Sequence, residues 1–460
     1  MIGKIAYEAI EKNRPIIKDL ADKIWKNPEG PYKEFNACQW TAQVLRDAGF
    51  DVEVGVAGVP TAIKATYGSG HPVIGFLGEY DSLPGLNQKV CTHQELDSNC
   101  GYGHGCGHNL LGSAHVAGVL GLKKEMEETG LAGTIVFYGC PAEEVLTGKP
   151  FMARGGAFDC LDLCIAFHPD SVNAVYTGTA VGINSVKFHY HGKTAHAGGA
   201  PQNGRSALDA LELTNVGVQY LREHVTNDIR IHYFIEDGGM APNIVPDYAR
   251  SWYMVRSLTR EGVDDVYARL IKVAKGAAMM TETEVEVEFL GGCYPTQQNH
   301  ALAKVLEDCM AEIPWETFTE EEKQFAKEID EANPISYNRM VNSGFIQEGQ
   351  HLFEGIAPTI SGNSYGSYDV GDVEYIVPGI MFFTTCKSVA AQNHHWQTTA
   401  CVGSSIGEKG MTNAAKVMAL FGLKVLQDPS IYQAAKAEFD KTMNGRTYQC
   451  PIPADVKIPE

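Results

Sequence analysis

The sequence predicts an α/β protein with a central mixed sheet covered by helices, into which a second, smaller α+β unit is inserted. Over the first 180 or so residues, strands that are apolar on both faces alternate with helical stretches, which indicates a covered sheet. Near Val181 the strands change to one apolar and one polar face. A chain of 460 residues is long enough for two or more compact units.

The elements of the larger unit follow from apolar periodicity. Central strands are predicted at 73–77, 134–138, 163–167 and 376–386. Helices are predicted at 5–25, 33–48, 109–126, 301–313, 320–329 and 411–426, and a loop at 361–372. Thr319 and Glu322 form a capping box that opens the charged helix at 320.

The inserted unit has the order strand, helix, strand, strand, helix, strand, which predicts a ferredoxin-like fold. In its first strand, Val186, Phe188 and Tyr190 alternate with polar residues, and the last strand alternates in the same way. We place this domain at 183–295, so that residues 1–182 and 296–460 form the larger domain. The chain therefore crosses between the domains twice.

Composition argues against several partners and locations. The net charge of -19 argues against nucleic acid, because binding to phosphates depends on clustered Lys and Arg. No apolar run reaches the roughly 20 residues that cross a membrane, and the amphipathic N-terminal segment lacks the apolar core of an export signal. We expect a cytoplasmic protein whose twelve cysteines are mostly reduced.

Two motifs follow the first central strand. In GEYDSLPG, Asp81 lies just beyond the strand, where α/β proteins place their active sites, although a turn aspartate fits equally well. In GYGHGCGHN, Cys106 and His108 offer a thiolate and an imidazole, which suit zinc. His104 is either a third ligand or a loop residue.

Further metal-competent residues follow the next strands. CPAEE contains Glu143 and Glu144, and adjacent carboxylates repel unless a cation or a proton separates them. One as metal ligand and the other as proton shuttle resolves this conflict. His168 ends the strand at 163–167, and NHHWQ at 393–397 offers His394 or His395. Five such donors suit two metal ions about 3.5 to 4 Å apart.

The inserted domain carries three candidate residues for substrate binding. His196 lies in a loop before a helix, where a structural role is equally open. Arg256 has the planar guanidinium that binds a carboxylate with two hydrogen bonds, and Asn243 lies in the same domain.

The motifs CGHN, PAEE, AFHP, the TAHAG loop and HHWQ resemble the metallopeptidase family of aminoacylase, carboxypeptidase G and plant auxin-conjugate amidohydrolases. GEYDSLPGL, CGHNLLG, GSYDVGDV and HHWQ are most similar to the aminobenzoyl-glutamate hydrolase B-subunit group. The resemblance covers essentially the whole chain. It implies a zinc-peptidase-like catalytic domain and makes the insert a dimerisation or lid domain.

The resemblance also implies a role for each candidate residue. The implied metal ligands are Cys106, His108, Glu144, His168 and, by alignment on Trp396, His394. The implied catalytic residues are Glu143 as general base, Asp81 as the residue that orients a ligand, and His196 as the histidine that reaches the active site of the partner. Asn243 and Arg256 are similar in position to residues that bind the substrate's carboxylate.

This chain departs from the family at two positions near the metals. Many relatives have Asp where this chain has Asn109, and the wider family has His where this chain has Glu79. The ligand types favour two zinc ions per subunit, with manganese or cobalt as alternatives.

The expected reaction is hydrolysis of the amide bond of an N-acyl or N-aroyl amino acid, with glutamate or aspartate favoured. Water activated by the metals attacks the carbonyl, and Glu143 takes its proton. The alternatives are a dipeptidase or carboxypeptidase of the same family, and a non-catalytic subunit of a hetero-oligomeric hydrolase. The expected assembly is a homodimer through the inserted domain, or a hetero-oligomer with a related subunit.

Overall fold

Two large sheets organise the chain in the computed structural model, which describes residues 3–97 and 101–459. The strands are β1 Asp51–Val54, β2 Ile63–Ser69, β3 Val73–Glu79, β4 Leu83–Pro84, β5 Tyr102–Gly103, β6 Gly133–Cys140, β7 Leu163–Asp170, β8 Ala174–Tyr176, β9 Gly182–His191, β10 Arg230–Asp237, β11 Tyr248–Ser257, β12 Glu284–Cys293 and β13 Gly379–Thr385. The helices are α1 Lys4–Lys26, α2 Phe35–Asp47, α3 His108–Thr129, α4 Gly148–Arg154, α5 Ala207–Leu221, α6 Arg260–Met280, α7 His300–Glu312, α8 Glu320–Glu331, α9 Pro334–Asn342, α10 Gly371–Glu374, α11 Trp396–Val402, α12 Ser405–Gln427 and α13 Pro429–Met443.

The larger sheet has seven strands in the order β1-β2-β6-β3-β7-β13-β8. Its four central strands, β6, β3, β7 and β13, are mutually parallel, and the outer strands are antiparallel. Helix α3 packs against α1, α12 and the central strands. The predicted mixed sheet covered by helices is confirmed. Because the central strands are parallel, their carboxyl ends all open at one edge of the sheet.

The smaller sheet has the order β10-β11-β9-β12 and is antiparallel throughout. Helices α5 and α6 pack together and bury apolar side chains of β9 and β11 beneath them. This arrangement confirms the predicted ferredoxin-like order. The domain boundaries at 183 and 295 stay predictions.

Several elements differ from the predicted ones. The strand predicted at 376–386 is shorter, because α10 and the turn that ends at Pro378 occupy the residues before Gly379. The elements that were not predicted are strands β1, β2, β4, β5 and β8 and helices α4, α9, α10, α11 and α13. Strand β1 is mostly exposed, and α9 buries none of its side chains, so neither has a strong apolar stripe.

Two expectations from composition concern membranes and disulfides. None of the helices in 3–97 and 101–459 combines the length and apolar character that a membrane span requires. The eleven cysteines in these ranges are free thiols.

Glu374, a buried carboxylate beneath the large sheet, gives the fold a testable pH dependence. It accepts hydrogen bonds from Gln297 N at 2.8 Å and Gln298 Nε2 at 2.7 Å, and burial raises the pKa of Glu374 to about 7. The unfolded chain releases this proton near pH 4.5. The stabilisation is therefore complete below about pH 4.5 and is lost as the pH rises through about 7.

We expect the unfolding free energy of the wild type, relative to that of Glu374→Gln, to fall between pH 5 and pH 8. Glutamine mimics the protonated acid and does not titrate. Denaturant unfolding of both proteins at a series of pH values measures the difference. A difference that does not change with pH would contradict the prediction.

Candidate active site

A glycine turn at the start of α3 places Cys106 and His108 side by side. Gly107 lies between them with φ +81°, and a Cβ there would lie 3.1 Å from side-chain atoms of Pro169 and Val402. Only glycine fits both the left-handed backbone and this close approach. The turn therefore fixes both candidate ligands at the edge of the sheet.

Asp81 sets the orientation of the His108 ring. Its Oδ1 lies 2.9 Å from His108 Nδ1, and its Oδ2 accepts a hydrogen bond from Glu144 N at 2.9 Å. His108 is fully buried, and its Nε2 has no hydrogen-bond partner among the described residues. A buried nitrogen without a partner is costly unless it binds something, so Nε2 fits a cation.

The turn that carries Glu143 and Glu144 is held by a buried carboxylate that the motifs did not reveal. Ala142 has φ +58°, and its N donates to Glu34 Oε1 at 2.9 Å. Glu34 is fully buried and also accepts hydrogen bonds from Tyr32 N and Thr61 Oγ1. It is far away in sequence, so no local pattern links it to this turn.

His168 lies within β7, two residues before the strand ends. Its Nδ1 is 2.8 Å from Pro169 O, which leaves Nε2 for a ligand, and its ring packs 6.0 Å from that of His108 and 5.4 Å from that of Tyr368. Burial, and then the nearby charge of His108, lower the pKa of His168 to about 4. A neutral imidazole is the form that binds a metal.

The late loop brings His394, rather than His395, to the other donors. His394 N donates to Gly105 O at 3.0 Å, and its Nε2 lies 3.4 Å from Glu144 Oε2. The ring of His395 packs 5.8 Å from that of Trp396 instead. No metal-competent group in the described ranges includes His395.

The predicted donors form two groups that share one sulfur. Cys106, His108 and His168 form the first group, and Cys106, Glu144 and His394 form the second, each with its ligand atoms within 4.8 Å of one another. Sulfur, imidazole and carboxylate donors at this spacing suit zinc and related divalent ions. The residues present therefore fit two divalent cations, and Cys106 belongs to both donor groups.

A third group, Glu79, His108 and Glu143, lies next to these two. Burial raises the pKa of Glu143 well above its usual value, and the carboxylates of Glu79 and Asp369 raise it further. Glu79 and Asp369 both contact Lys149, a fully buried lysine of α4. Sequence reasoning missed Lys149 and Asp369, although Asp369 lies in the GSYDVGDV motif.

His104 and Asn109, on either side of Cys106 and His108, contact other parts of the fold than the donor groups. His104 Nε2 lies 3.1 Å from Ile24 O, and burial lowers the pKa of His104 to about 3. His104 belongs to none of the metal-competent groups found in the described ranges, so it is a loop residue packed against α1. Asn109 donates to Val402 O at 3.2 Å.

The insert-domain candidates lie apart from these donors. His196 is exposed, and its Nδ1 accepts hydrogen bonds from Gly198 N and Gly199 N. The N–H of Ala197, the residue after His196, donates a hydrogen bond to Asn243 O. Within the described ranges, neither His196 nor Asn243 shares a hydrogen bond or ion pair with the metal-competent groups.

Arg256 reaches toward the catalytic domain. Its Nη1 donates to Tyr365 O at 3.2 Å and to Ser367 Oγ at 3.0 Å, in the loop that continues to Tyr368 beside His168. Arg230 lies directly opposite Arg256 on β10, and its guanidinium stacks 4.3 Å from the Tyr365 ring. The two arginines thus face the same loop.

One further group lies in the exposed loop before residue 98. Cys91, His93 and Glu95 bring their donor atoms within 4.8 Å of one another, but Glu95 Oε1 is already paired with Lys89 Nζ at 2.5 Å. This group is separate from the two that share Cys106.

The fold and the donor groups together define a metal-dependent hydrolase. Residues 179–279 match the M20 peptidase dimerisation domain. The chain is 36% identical over 473 residues to the B subunit of p-aminobenzoyl-glutamate hydrolase from Escherichia coli K12, covering 99% of this chain and 98% of that protein. The chain belongs to the M20 peptidase family, and it is a metal-dependent amidohydrolase.

Other proteins are similar to this chain at lower sequence identity or in fold. The Xaa-Arg dipeptidase of Mus musculus is 28% identical over 456 residues, covering 95% of this chain and 92% of that protein. The fold is similar to that of an aminobenzoyl-glutamate utilization protein from Klebsiella pneumoniae, with TM-score 0.64, 18% identity, and coverage of 91% of this chain and 97% of that one. It is also similar to a dinuclear metal-binding M20 peptidase from Bacillus subtilis, with TM-score 0.60, 16% identity, and coverage of 91% and 99%.

Proposed function

We propose that the chain hydrolyses the amide bond between an acyl or aroyl group and an amino acid, with glutamate or aspartate preferred. The observation that carries this proposal is the position of the Glu143 carboxylate, with Oε2 3.8 Å from His108 Nε2, beside donor groups for two cations. The relative of 36% identity is named for an acyl-glutamate substrate, which supports the same substrate class.

The proposed metal ligands are Cys106, His108, Glu144, His168 and His394, and zinc is the proposed ion, with manganese or cobalt as alternatives. Bound cations would supply Lewis-acid polarisation of the scissile carbonyl and lower the pKa of water at the site. Asp81 keeps the His108 ring in the orientation that presents Nε2.

Glu143 is the proposed general base. Its buried carboxylate faces the donor groups, so it can accept the proton of the attacking water and then deliver that proton to the leaving amine. Burial excludes competing solvent from the same position.

The arginine pair supports an acidic amino acid as the leaving group. Arg230 and Arg256 are cross-strand neighbours that face the loop beside His168, in a chain whose net charge is -19. Two guanidiniums suit the two carboxylates of glutamate or aspartate. Asn243 is proposed to contact the α-carboxylate.

We further propose that the insert pairs two subunits, so that the exposed His196 of one reaches the active site of the other. The exposed apolar side chains of β10 and α5 support pairing; they are Leu213, Val216, Tyr220, Phe234 and Ile235. The partner is a second copy of this chain or a related chain. Two E. coli relatives are named as the A and B subunits of one hydrolase, which supports the second alternative. The proposed location is the cytoplasm.

A hydrolysis panel tests the substrate class. N-acyl-glutamate, N-acyl-aspartate, N-acyl-leucine and dipeptides are offered to the purified, metal-loaded chain. We expect the acidic substrates to react best and Arg256→Gln to raise their KM by roughly 10- to 100-fold, because a charge-assisted hydrogen bond contributes about 1.5–3 kcal/mol. Arg269→Gln, on the helical face of the insert, is the matched control and should leave KM unchanged.

Two outcomes of the panel would favour other functions. Hydrolysis of dipeptides alone would favour a dipeptidase, which the similarity to Xaa-Arg dipeptidases supports. Hydrolysis that appears only after a related chain is added would favour a non-catalytic subunit.

A further inference from the structure

Three buried charged side chains lie directly behind the metal-competent groups. Lys149 Nζ is 2.5 Å from Glu79 Oε1 and 2.5 Å from Asp369 Oδ1, and Lys149 N donates to Asp369 Oδ2 at 3.0 Å. Lys149 and Asp369 have no exposed side-chain surface, and Glu79 is 7% exposed. We call this set the Lys149 triad.

The Lys149 triad is costly as a purely structural feature. Removing a charge from water is unfavourable, and attraction between the buried charges offsets this only when they balance and the geometry is good. One lysine here faces two carboxylates of its own. Three more carboxylates lie within 3.9 Å of a ring nitrogen of His108; these are Asp81, Glu143 and Glu144. Such an excess of negative charge suits a site that holds cations.

The triad also determines where the free oxygen of Glu79 points. Lys149 holds Oε1, and Oε2 lies 3.3 Å from His108 Nε2, the buried nitrogen that has no hydrogen-bond partner among the described residues. Because Asp81 occupies Nδ1 of the same ring, Nε2 is the nitrogen left for a metal. Glu79 Oε2 therefore lies on the metal side of the ring.

We propose that Glu79 is an additional carboxylate ligand of the cation bound by His108, and that Lys149, anchored by Asp369, is the positioning residue that holds Glu79 there. The inference rests on the proposed function only in requiring that the site binds metal. Glu79 Oε2 and Glu143 Oε2 flank His108 Nε2 at 3.3 and 3.8 Å, so the ligand and the base approach from neighbouring directions.

Cobalt binding tests the proposal without turnover. Chelator-stripped full-length protein is titrated with Co²⁺, and the ligand-field bands and the thiolate charge-transfer band are recorded. We expect Glu79→Gln and Lys149→Met to lower the affinity for one of the two Co²⁺ ions by roughly 10- to 100-fold, the usual effect of losing a group that supports a metal ligand. The ligand-field bands of that ion should also change. The Cys106 charge-transfer band should remain.

Lys416→Met is the matched control. Lys416 is also a buried lysine with two carboxylate neighbours, Glu11 at 2.7 Å and Glu316 at 3.7 Å, but it lies on α12, outside the metal-competent groups. Its loss should lower stability without changing Co²⁺ binding.

The proposal is overturned if Glu79→Gln binds both Co²⁺ ions with wild-type affinity and spectrum. If Lys149→Met does not fold, Asp369→Asn replaces it, and Glu79→Gln alone still decides the ligand. Failure here is distinct from failure of the proposed function. A protein that hydrolyses nothing in the panel but shows Glu79-dependent Co²⁺ bands supports the ligand, whereas hydrolysis without such dependence overturns only the ligand.

Discussion

Replacing Glu143 by glutamine is expected to lower kcat by about 100- to 10,000-fold, the contribution of a well-placed general base. Glutamine has the same shape but cannot accept the proton of the attacking water. The change leaves the metal-competent groups that share Cys106 intact, so the folded state and the metal content should persist. Steady-state kinetics on an N-acyl-glutamate, together with metal analysis of the same sample, measures both.

Glu374→Gln is the matched control, because Glu374 is also a buried glutamate but belongs to none of the metal-competent groups in the described ranges. It should keep its turnover near neutral pH. If Glu143→Gln retains turnover within about threefold of wild type, another carboxylate is the base. A parallel loss of metal would instead assign Glu143 a role in binding the metal.

Cys106→Ala is expected to remove both metal ions and reduce hydrolysis to background. Its sulfur is the only ligand atom common to the two donor groups found in the described ranges, so one substitution weakens both sites. The loss of affinity should exceed the roughly 10- to 100-fold cost of losing an outer partner of a metal ligand. Equilibrium dialysis against a metal buffer gives the stoichiometry and affinity.

Cys164→Ala provides the comparison, since Cys164 is a buried thiol within β7 that packs in the core beneath the sheet. It should bind two ions like the wild type, with at most a modest loss of stability. Two ions bound at wild-type affinity by Cys106→Ala would show that the sulfur is not a shared ligand, and one retained ion would assign it to a single site.

Sequence reasoning located most of the candidate donors because they lie near the end of a strongly apolar strand or at a glycine turn. Glu143 and Glu144 follow β6, and His168 lies near the end of β7. The parallel order of the central strands then brings these ends together at one edge. The residue pattern alone left His394 and His395 open, because neighbouring loop residues carry no periodicity, and the family resemblance selected His394 by alignment on Trp396. In the structure His394 contacts Gly105 and Glu144, whereas the His395 ring packs against Trp396.

The Lys149 triad and Glu34 show the limit of local patterns. Lys149 lies in a short apolar segment, and its partners are 70 and 220 residues away in the chain. Glu34 belongs to none of the motifs, and it accepts a hydrogen bond from Ala142, which lies 108 residues away in the chain. A charged residue that is buried against distant partners leaves no local signature, since hydropathy marks it as a surface residue.

The sequence by itself determined the two folding units, the order of their main elements and the candidate metal donors, because apolar periodicity and ligand type are local properties. Only the tertiary structure decided that Cys106 belongs to both donor groups, that His104 faces α1, and that a buried lysine fixes Glu79 beside His108. Each of these contacts joins segments that are far apart in the chain. Such contacts depend on how the sheet and helices pack, which no single stretch of residues encodes.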